Sequence, residues 1–303
     1  MKRIERTTVH YAFDRAQPPV LTAASGETVV FDCIDCYGGE LREAGEQARR
    51  RVYANPATGP LYVEGAEPGD VLQVEILDIS LDGEGYMRVG EGLGIYENQG
   101  RHVGRYPVKQ GEILFENGIR IPARPMIGVI GVAPAEGPVS TDEPGEHGGN
   151  LDIRDLGAGS VLYLPVNAPG ALLSMGDLHA VQGDGETAIC ALETGGAVTV
   201  RVTVLKGRED IPTPFLVTET AYLTTAAHES LDQCSVAAAR KMHRFLTEHS
   251  PLDGLQAAAA LSLMGNLRIS QVVNPKKGCV MEFPRNVAGL EYNPKLFTEQ
   301  YLN

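Results

Sequence analysis

Ala197–Leu205 reads AVTVRVTVL, with a valine at every second position from Val198 to Val204. Side chains alternate across a β-strand, so this period sends the valines to one face and the Thr/Arg set to the other. A half-buried strand fits that pattern, and the rest of the chain can be read outward from it. Apolar, β-branched runs recur at Thr28–Cys33 (TVVFDC), Val71–Ile79 (VLQVEILDI), Ile127–Val132, Ser160–Pro165 (SVLYLP) and Thr187–Leu192 (TAICAL). Turn signals separate them: Pro68-Gly69-Asp70, Asp82-Gly83-Glu84-Gly85 and Glu193-Thr194-Gly195-Gly196. With no helical pattern between these runs, the expected class is mainly β, with a β-sandwich core and not a doubly wound sheet. The long Gly-rich stretch Ser80–Ile113 is weakly patterned and reads as a surface loop or a flap over a site.

After Gly207 the pattern changes. Ala227–His249 carries an apolar stripe at helical spacing (Leu231, Val236, Ala239, Met242, Phe245, Leu246). Pro251–Met264 suits a second helix, with Gly265-Asn266 as its stop. Val272-Val273, the turn-like Asn274–Gly278 and Cys279–Phe283 suggest a hairpin. The expected organisation is therefore a β-sandwich core over 1–207 and a C-terminal α+β appendage over 208–303, packed on the core.

The bulk numbers exclude several classes. A chain of 303 residues with 43% hydrophobic and 21% charged residues can bury a sizeable core. A formal charge of −13 without a basic stripe argues against nucleic acid and anionic membranes as partners. No segment approaches the roughly 20 apolar residues of a membrane span, and the N-terminus lacks the apolar core of a signal peptide. Five cysteines, an odd number, suggest no disulfide framework, which makes a reducing cytoplasm the expected location.

The chemistry concentrates in Gly176–Glu186 (GDLHAVQGDGE), where three carboxylates and an imidazole sit among glycines. Asp177 and His179 share a face if the backbone is extended, and carboxylate oxygens with an imidazole nitrogen suit zinc or a similar divalent ion. An Asp-Gly hairpin turn is the plainer reading for Asp184-Gly185. A second block, Pro144–Asp152 (PGEHGGNLD), repeats the mixture of His, carboxylates and paired glycines. Cys33-Ile34-Asp35-Cys36 is a lone CxxC without a partner pair, and Cys33 reads as packing at a strand end.

Four runs together resemble the acetamidase/formamidase family: TGPLYVEGAEPGDVLQVEI (Thr58–Ile76), PMIGVIGVAPAEG (Pro125–Gly137), PGEHGGNLDIRDL (Pro144–Leu156) and LYLPVNAPGALLSMGDLHAVQGDGE (Leu162–Glu186). They cover about the central half of the chain. The resemblance implies a β-sandwich with an additional C-terminal part, a homodimer, and hydrolysis of a small-molecule amide to a carboxylate and ammonia. It also implies a metal at Asp177 and His179, reached by Glu193 and with Asp35 near it as ligand or supporting acid. No GxSxG elbow is present and Cys190 reads as inert core, so a water activated by the ion is the expected nucleophile. Zinc is the expected cofactor, with calcium as the alternative. Glu186, Glu136 and His147 are the candidates for proton transfer, and His147 could equally ligate the metal or orient the substrate. Gly148 and Gly149 would bring backbone N–H groups to a developing oxyanion, and Asn150 would hydrogen-bond the amide. Two other readings stay open: a non-catalytic β-sandwich binding module with a structural calcium, and a metallohydrolase of a larger or cyclic amide. The absence of Trp and an aromatic content of 6% count against a lectin-like module.

Overall fold

The computed structural model of the chain describes residues 1–44, 55–90, 92–96 and 100–291. Among these residues, two large sheets pack face to face. The first has nine strands in the order Lys2–Ile4, Thr28–Cys33, Gly196–Leu205, Val71–Leu81, Val161–Pro165, Phe215–Val217, Ala221–His228, Lys277–Pro284, Asn266–Gln271. The second has twelve, among them Ala57–Val63, Glu84–Gly90, Met126–Gly131, Gly148–Asn150, Leu173–His179 and Glu193–Thr194. A short pair, Ala12–Phe13 with Val139–Ser140, stands apart.

The valine period is realised in Gly196–Leu205. Val198, Val200 and Val202 are fully buried between the sheets, beside Val29, Phe31, Leu72, Val74 and Ile76 of their own sheet. Across the interface they meet Leu61, Val63, Ile127, Ile130, Leu173, Met175 and Leu178. Each such side chain contributes roughly 1.5–3 kcal/mol on burial, which makes this interface the main source of stability. The mainly β sandwich is thus the observed class.

The C-terminal strands extend the first sheet, because Phe215–Val217 pairs with Val161–Pro165 and the others follow outward. Two helices cover its outer face. Leu231–His249 lays Cys234, Ala238, Met242, Phe245 and Leu246 against Tyr163, Phe215, Tyr222 and Phe283. Gly254–Met264 is started by Asp253, whose carboxylate accepts from the N–H groups of Leu255 and Gln256 (both 2.9 Å) while Gln256 accepts in return from Asp253 N–H. Neither helix, nor any other among the described residues, is long and apolar enough to cross a membrane.

Four expectations for local structure change. The first helix begins at Leu231 and not at Ala227: Ala227 and His228 still pair with Gly278 and Lys277, and Ser230 then caps the helix. Thr187–Leu192 is not a strand; Ile189 takes φ +85° and the run forms an irregular wall. A short apolar run reports burial, not conformation. Most of Ser80–Ile113 is ordered β structure, with Glu84–Gly90 and Arg101–Lys109 paired antiparallel, while residue 91 and residues 97–99 lie outside the described set. The C-terminal hairpin is also longer than expected, pairing Asn266–Gln271 with Lys277–Pro284.

Candidate active site

The strand Leu173–His179 ends at the site, and its last residues set the geometry. Asp177 holds φ +54°, a left-handed kink that an Asp adopts at some cost. His179 sits opposite Glu193 in the strand register and is fully buried. Its Nε2 lies 3.2 Å from Oε2 of Glu193 and 3.4 Å from Oδ1 of Asp177.

Gln182 decides which imidazole nitrogen carries the proton. Its Nε2 donates to the carbonyls of Asp152 (2.7 Å) and Ser270 (3.2 Å), so its Oε1 must accept from Nδ1 of His179 at 2.8 Å. In the neutral ring, Nε2 then presents a lone pair to two carboxylates. Nε2 of His179 and Oε2 of Glu193 are both buried without a hydrogen-bond partner. Burial alone would lower the imidazole's affinity for a proton, but Glu193 and Asp177 overcome it and hold His179 well above its usual range. Burial, then the charge of Glu193, pushes Asp177 up to about 7. Such a cluster requires a cation, whether protons or a metal ion.

Two more carboxylates adjoin. Asp152 and Glu186 are buried, both at positive φ (+46° and +43°), and with His179 they offer ligand atoms within 4.8 Å of one another. Burial, then Asp177, raises Asp152 to about 6. Burial, then Asp152, holds Glu186 well above the carboxylate range. Oriented so that both ends of its amide are satisfied, Asn150 donates from Nδ2 to both oxygens of Asp152 (3.1 Å each) and to Oδ2 of Asp177 (3.2 Å). Its Oδ1 accepts from Asn55 and Asn274 (3.0 and 3.1 Å). Gly128 leaves room for the pair: a β-carbon there would stand 2.6 Å from Oδ2 of Asp177 and 2.8 Å from Oδ1 of Asp152. Asp177, Glu186, Glu193, Cys36 and Asn150 reach a cavity of about 540 Å³.

The structure thus brings together Asp177, His179, Glu193, Glu186 and Asn150. It does not bring Asp35, whose Oδ1 accepts from the N–H groups of Tyr37 and Gly39 at 3.0 Å each and so closes a turn. Glu136 is exposed in a bend. His147 is buried edge-on against Phe13, with ring centroids 5.1 Å apart, and burial lowers it to about 4. Gly148 and Gly149 are strand residues at φ +95° and +85°; added β-carbons would strike the carbonyls of Ile130 and Glu143. Asp184 pairs with Arg268 and Arg154. Sequence reasoning passed over Gln182, Gly128 and Asn274, and set Cys36 aside with its lone CxxC. Gln182 is the one with a signal, a polar side chain three residues beyond His179 and directly after the apolar Ala180-Val181. Asn274 has none, since it arrives from the far C-terminal hairpin.

The chain as a whole is similar to known proteins. The chain is 32% identical to a putative formamidase of Schizosaccharomyces pombe over 67% of its own length, and spans 65% of that protein. An acetamidase of Bacillus halodurans superposes with a TM-score of 0.89 at 40% identity, covering 93% of this chain and 97% of that one. A predicted acetamidase/formamidase of Thermoanaerobacter tengcongensis gives 0.89 at 36% identity, covering 93% and 95%. With residues 2–142 and 135–260 matching its pattern, the chain belongs to the acetamidase/formamidase family.

Proposed function

We propose that the protein hydrolyses short aliphatic amides of the formamide and acetamide type, releasing ammonia and a carboxylate, with a divalent ion seated on Nε2 of His179 and reached by Asp177 and Glu193. The observation that carries this reading is Nε2 of His179, buried within 3.4 Å of two carboxylates that pair with no lysine or arginine among the described residues. An imidazole donor favours zinc over calcium, which takes oxygen ligands. When bound, such an ion would lower the pKa of a water and polarise the amide carbonyl.

The chain's own residues supply the rest. Glu186 faces the cavity and is held well above the usual carboxylate range by burial and by Asp152, which suits it to give and take a proton. We assign proton transfer to Glu186 ahead of His147, which packs on Phe13 and does not line the cavity, and Glu136, which is exposed. Asn150 spaces Asp152 from Asp177, and Gln182 fixes the ring of His179 as second-layer partners of metal ligands do. The names of the relatives support the amide class. One observation favours a larger amide as the alternative: about 540 Å³ far exceeds what a three-heavy-atom amide fills.

We further propose that the protein works in a reducing cytoplasm, consistent with five buried free cysteines, and as a homodimer. In this reading 208–303 forms a unit that braces 1–207 and closes the site through Ser270 and Asn274.

Ammonia release from formamide, acetamide and a longer primary amide, before and after chelation and with zinc restored, tests the reading. Turnover that falls on chelation and returns with zinc supports it. Turnover indifferent to chelation overturns the metal role, and selective turnover of the longer amide moves the substrate to the larger class.

A further inference from the structure

We propose that Cys36 marks a second cation position beside the ion on His179, with Asp177 and Glu193 shared between the two; this rests on the metal-dependent reading above. Sγ of Cys36 and one carboxylate oxygen each of Asp177 and Glu193 lie within 4.8 Å of one another. Ligands held about 2.0–2.3 Å from one ion span that kind of triangle. A neighbouring group, Asp152, His179 and Glu186, also offers ligand atoms within 4.8 Å of one another, so the buried cluster extends beyond one ion position. His179, within 3.4 Å of both Asp177 and Glu193, joins the two groups at their seam.

Two independent features point to a ligand at Cys36. Cys33, Cys190 and Cys234 each donate their thiol to a backbone carbonyl, and Cys279 pairs with Cys234. Among the described residues Cys36 makes no such bond, although it is buried and lines the cavity with Asp177 and Glu193. Oε2 of Glu193 is likewise buried and without a hydrogen bond; its other oxygen accepts from Ala191 N–H at 2.9 Å. The Cys36 sulfur and a Glu193 carboxylate with one oxygen unpartnered therefore stand in one buried cluster.

Charge gives the second reason. Asp152, Asp177, Glu186 and Glu193 are buried, and among the described residues none pairs with a lysine or arginine. Cations seated among them would offset the charge these carboxylates take on as their protons are displaced. Paired ions roughly 3.5–4 Å apart with shared carboxylates are a familiar hydrolytic arrangement. A thiolate ligand restricts the second position to zinc, cobalt, cadmium and similar ions, and excludes magnesium and calcium.

Chelated full-length protein is titrated with Co²⁺, and bound cobalt per chain is counted while the near-ultraviolet thiolate-to-cobalt absorption is followed. The expected result is about two cobalt ions per chain with a charge-transfer band. Cys36→Ser and Cys36→Ala should fall to about one ion and lose the band, whereas Cys190→Ala, whose sulfur also lines the cavity, should keep both. One ion per chain with no band in the wild type overturns the second position and leaves the first. Two ions with a band that survives in both Cys36 variants also overturns it. No bound cobalt overturns the metal-dependent reading itself.

Discussion

Nε2 of His179 lies 3.2 Å from Oε2 of Glu193, its neighbour across the strand pair, and neither atom has a hydrogen-bond partner. The opposite ring nitrogen is committed to Gln182, so Nε2 meets the carboxylate through a cation, a proton on the ring or a metal ion in its place. The expected behaviour of the site follows from that juxtaposition.

His179→Ala should remove metal from the site and abolish amide hydrolysis. Glu186→Gln should retain metal and lower kcat by about 10²–10⁴-fold, the usual worth of a positioned acid–base group. Metal analysis beside steady-state rates separates the two, and full activity in either variant would sink the mechanism.

Gln182→Ala deletes the acceptor for Nδ1 of His179 and leaves the carbonyls of Asp152 and Ser270 without their donor. Metal affinity should weaken about 10–100-fold, as is typical for loss of a partner behind a ligating histidine. Competition with a chelator of known strength measures it.

Gly128→Ala should be as damaging as loss of a ligand, although Gly128 bears no functional group. Its β-carbon would occupy space held by Oδ2 of Asp177 and Oδ1 of Asp152. Overpacking of this kind costs about 1–3 kcal/mol in stability. The telling result is metal content: a variant that folds and still binds the wild-type complement would show that the carboxylates can move apart.

Asp177 supplies a pH test on metal-free protein. Its folded pKa, about 7, is raised by burial first and Glu193 next. For a carboxyl shifted upward, the fold favours the protonated form, so stability present at low pH is lost as pH rises from the unfolded value near 4 through 7. Metal-free Asp177→Asn should therefore melt above metal-free wild type at pH 8, with the difference closing toward pH 4. A difference that does not vary with pH would remove the shift as its cause.

His147 acts in the opposite sense. Burial lowers it to about 4, so the fold favours the neutral ring. Stability is complete above the unfolded value near 6.5 and is lost as pH falls from there toward 4. His147→Gln should flatten that acid limb relative to wild type while leaving the alkaline side unchanged, as thermal melts across the range would show.

Much of the frame was legible because its signals are local. The valines of 198–204 could only serve a strand with one face buried, and Gly176–Glu186 announced a ligand set by composition. Thr187–Leu192 failed for the converse reason: an apolar run says that a segment is buried, and the left-handed Ile189 shows that it is buried as an irregular wall. The Ala227 boundary failed because alanine suits both a strand end and a helix start, and only pairing with Gly278 settles it.

Sequence by itself determined the mainly β class, the change of character near Gly207 and the identity of Asp177, His179 and Glu186 as the chemically dense residues, with Glu193 added by the family resemblance. Tertiary structure decided which of the candidates meet. Asp35 and Glu193 are both acids at strand ends, yet the chain turns Asp35 onto the N–H groups of Tyr37 and Gly39 while register places Glu193 opposite His179. Cys36 and Asn274, from opposite ends of the chain, both reach the cavity that Asp177 lines. Residue type states what a side chain can bind, and periodicity states which face it takes. Distance between segments remote in sequence is set by sheet order and register, which no local pattern encodes.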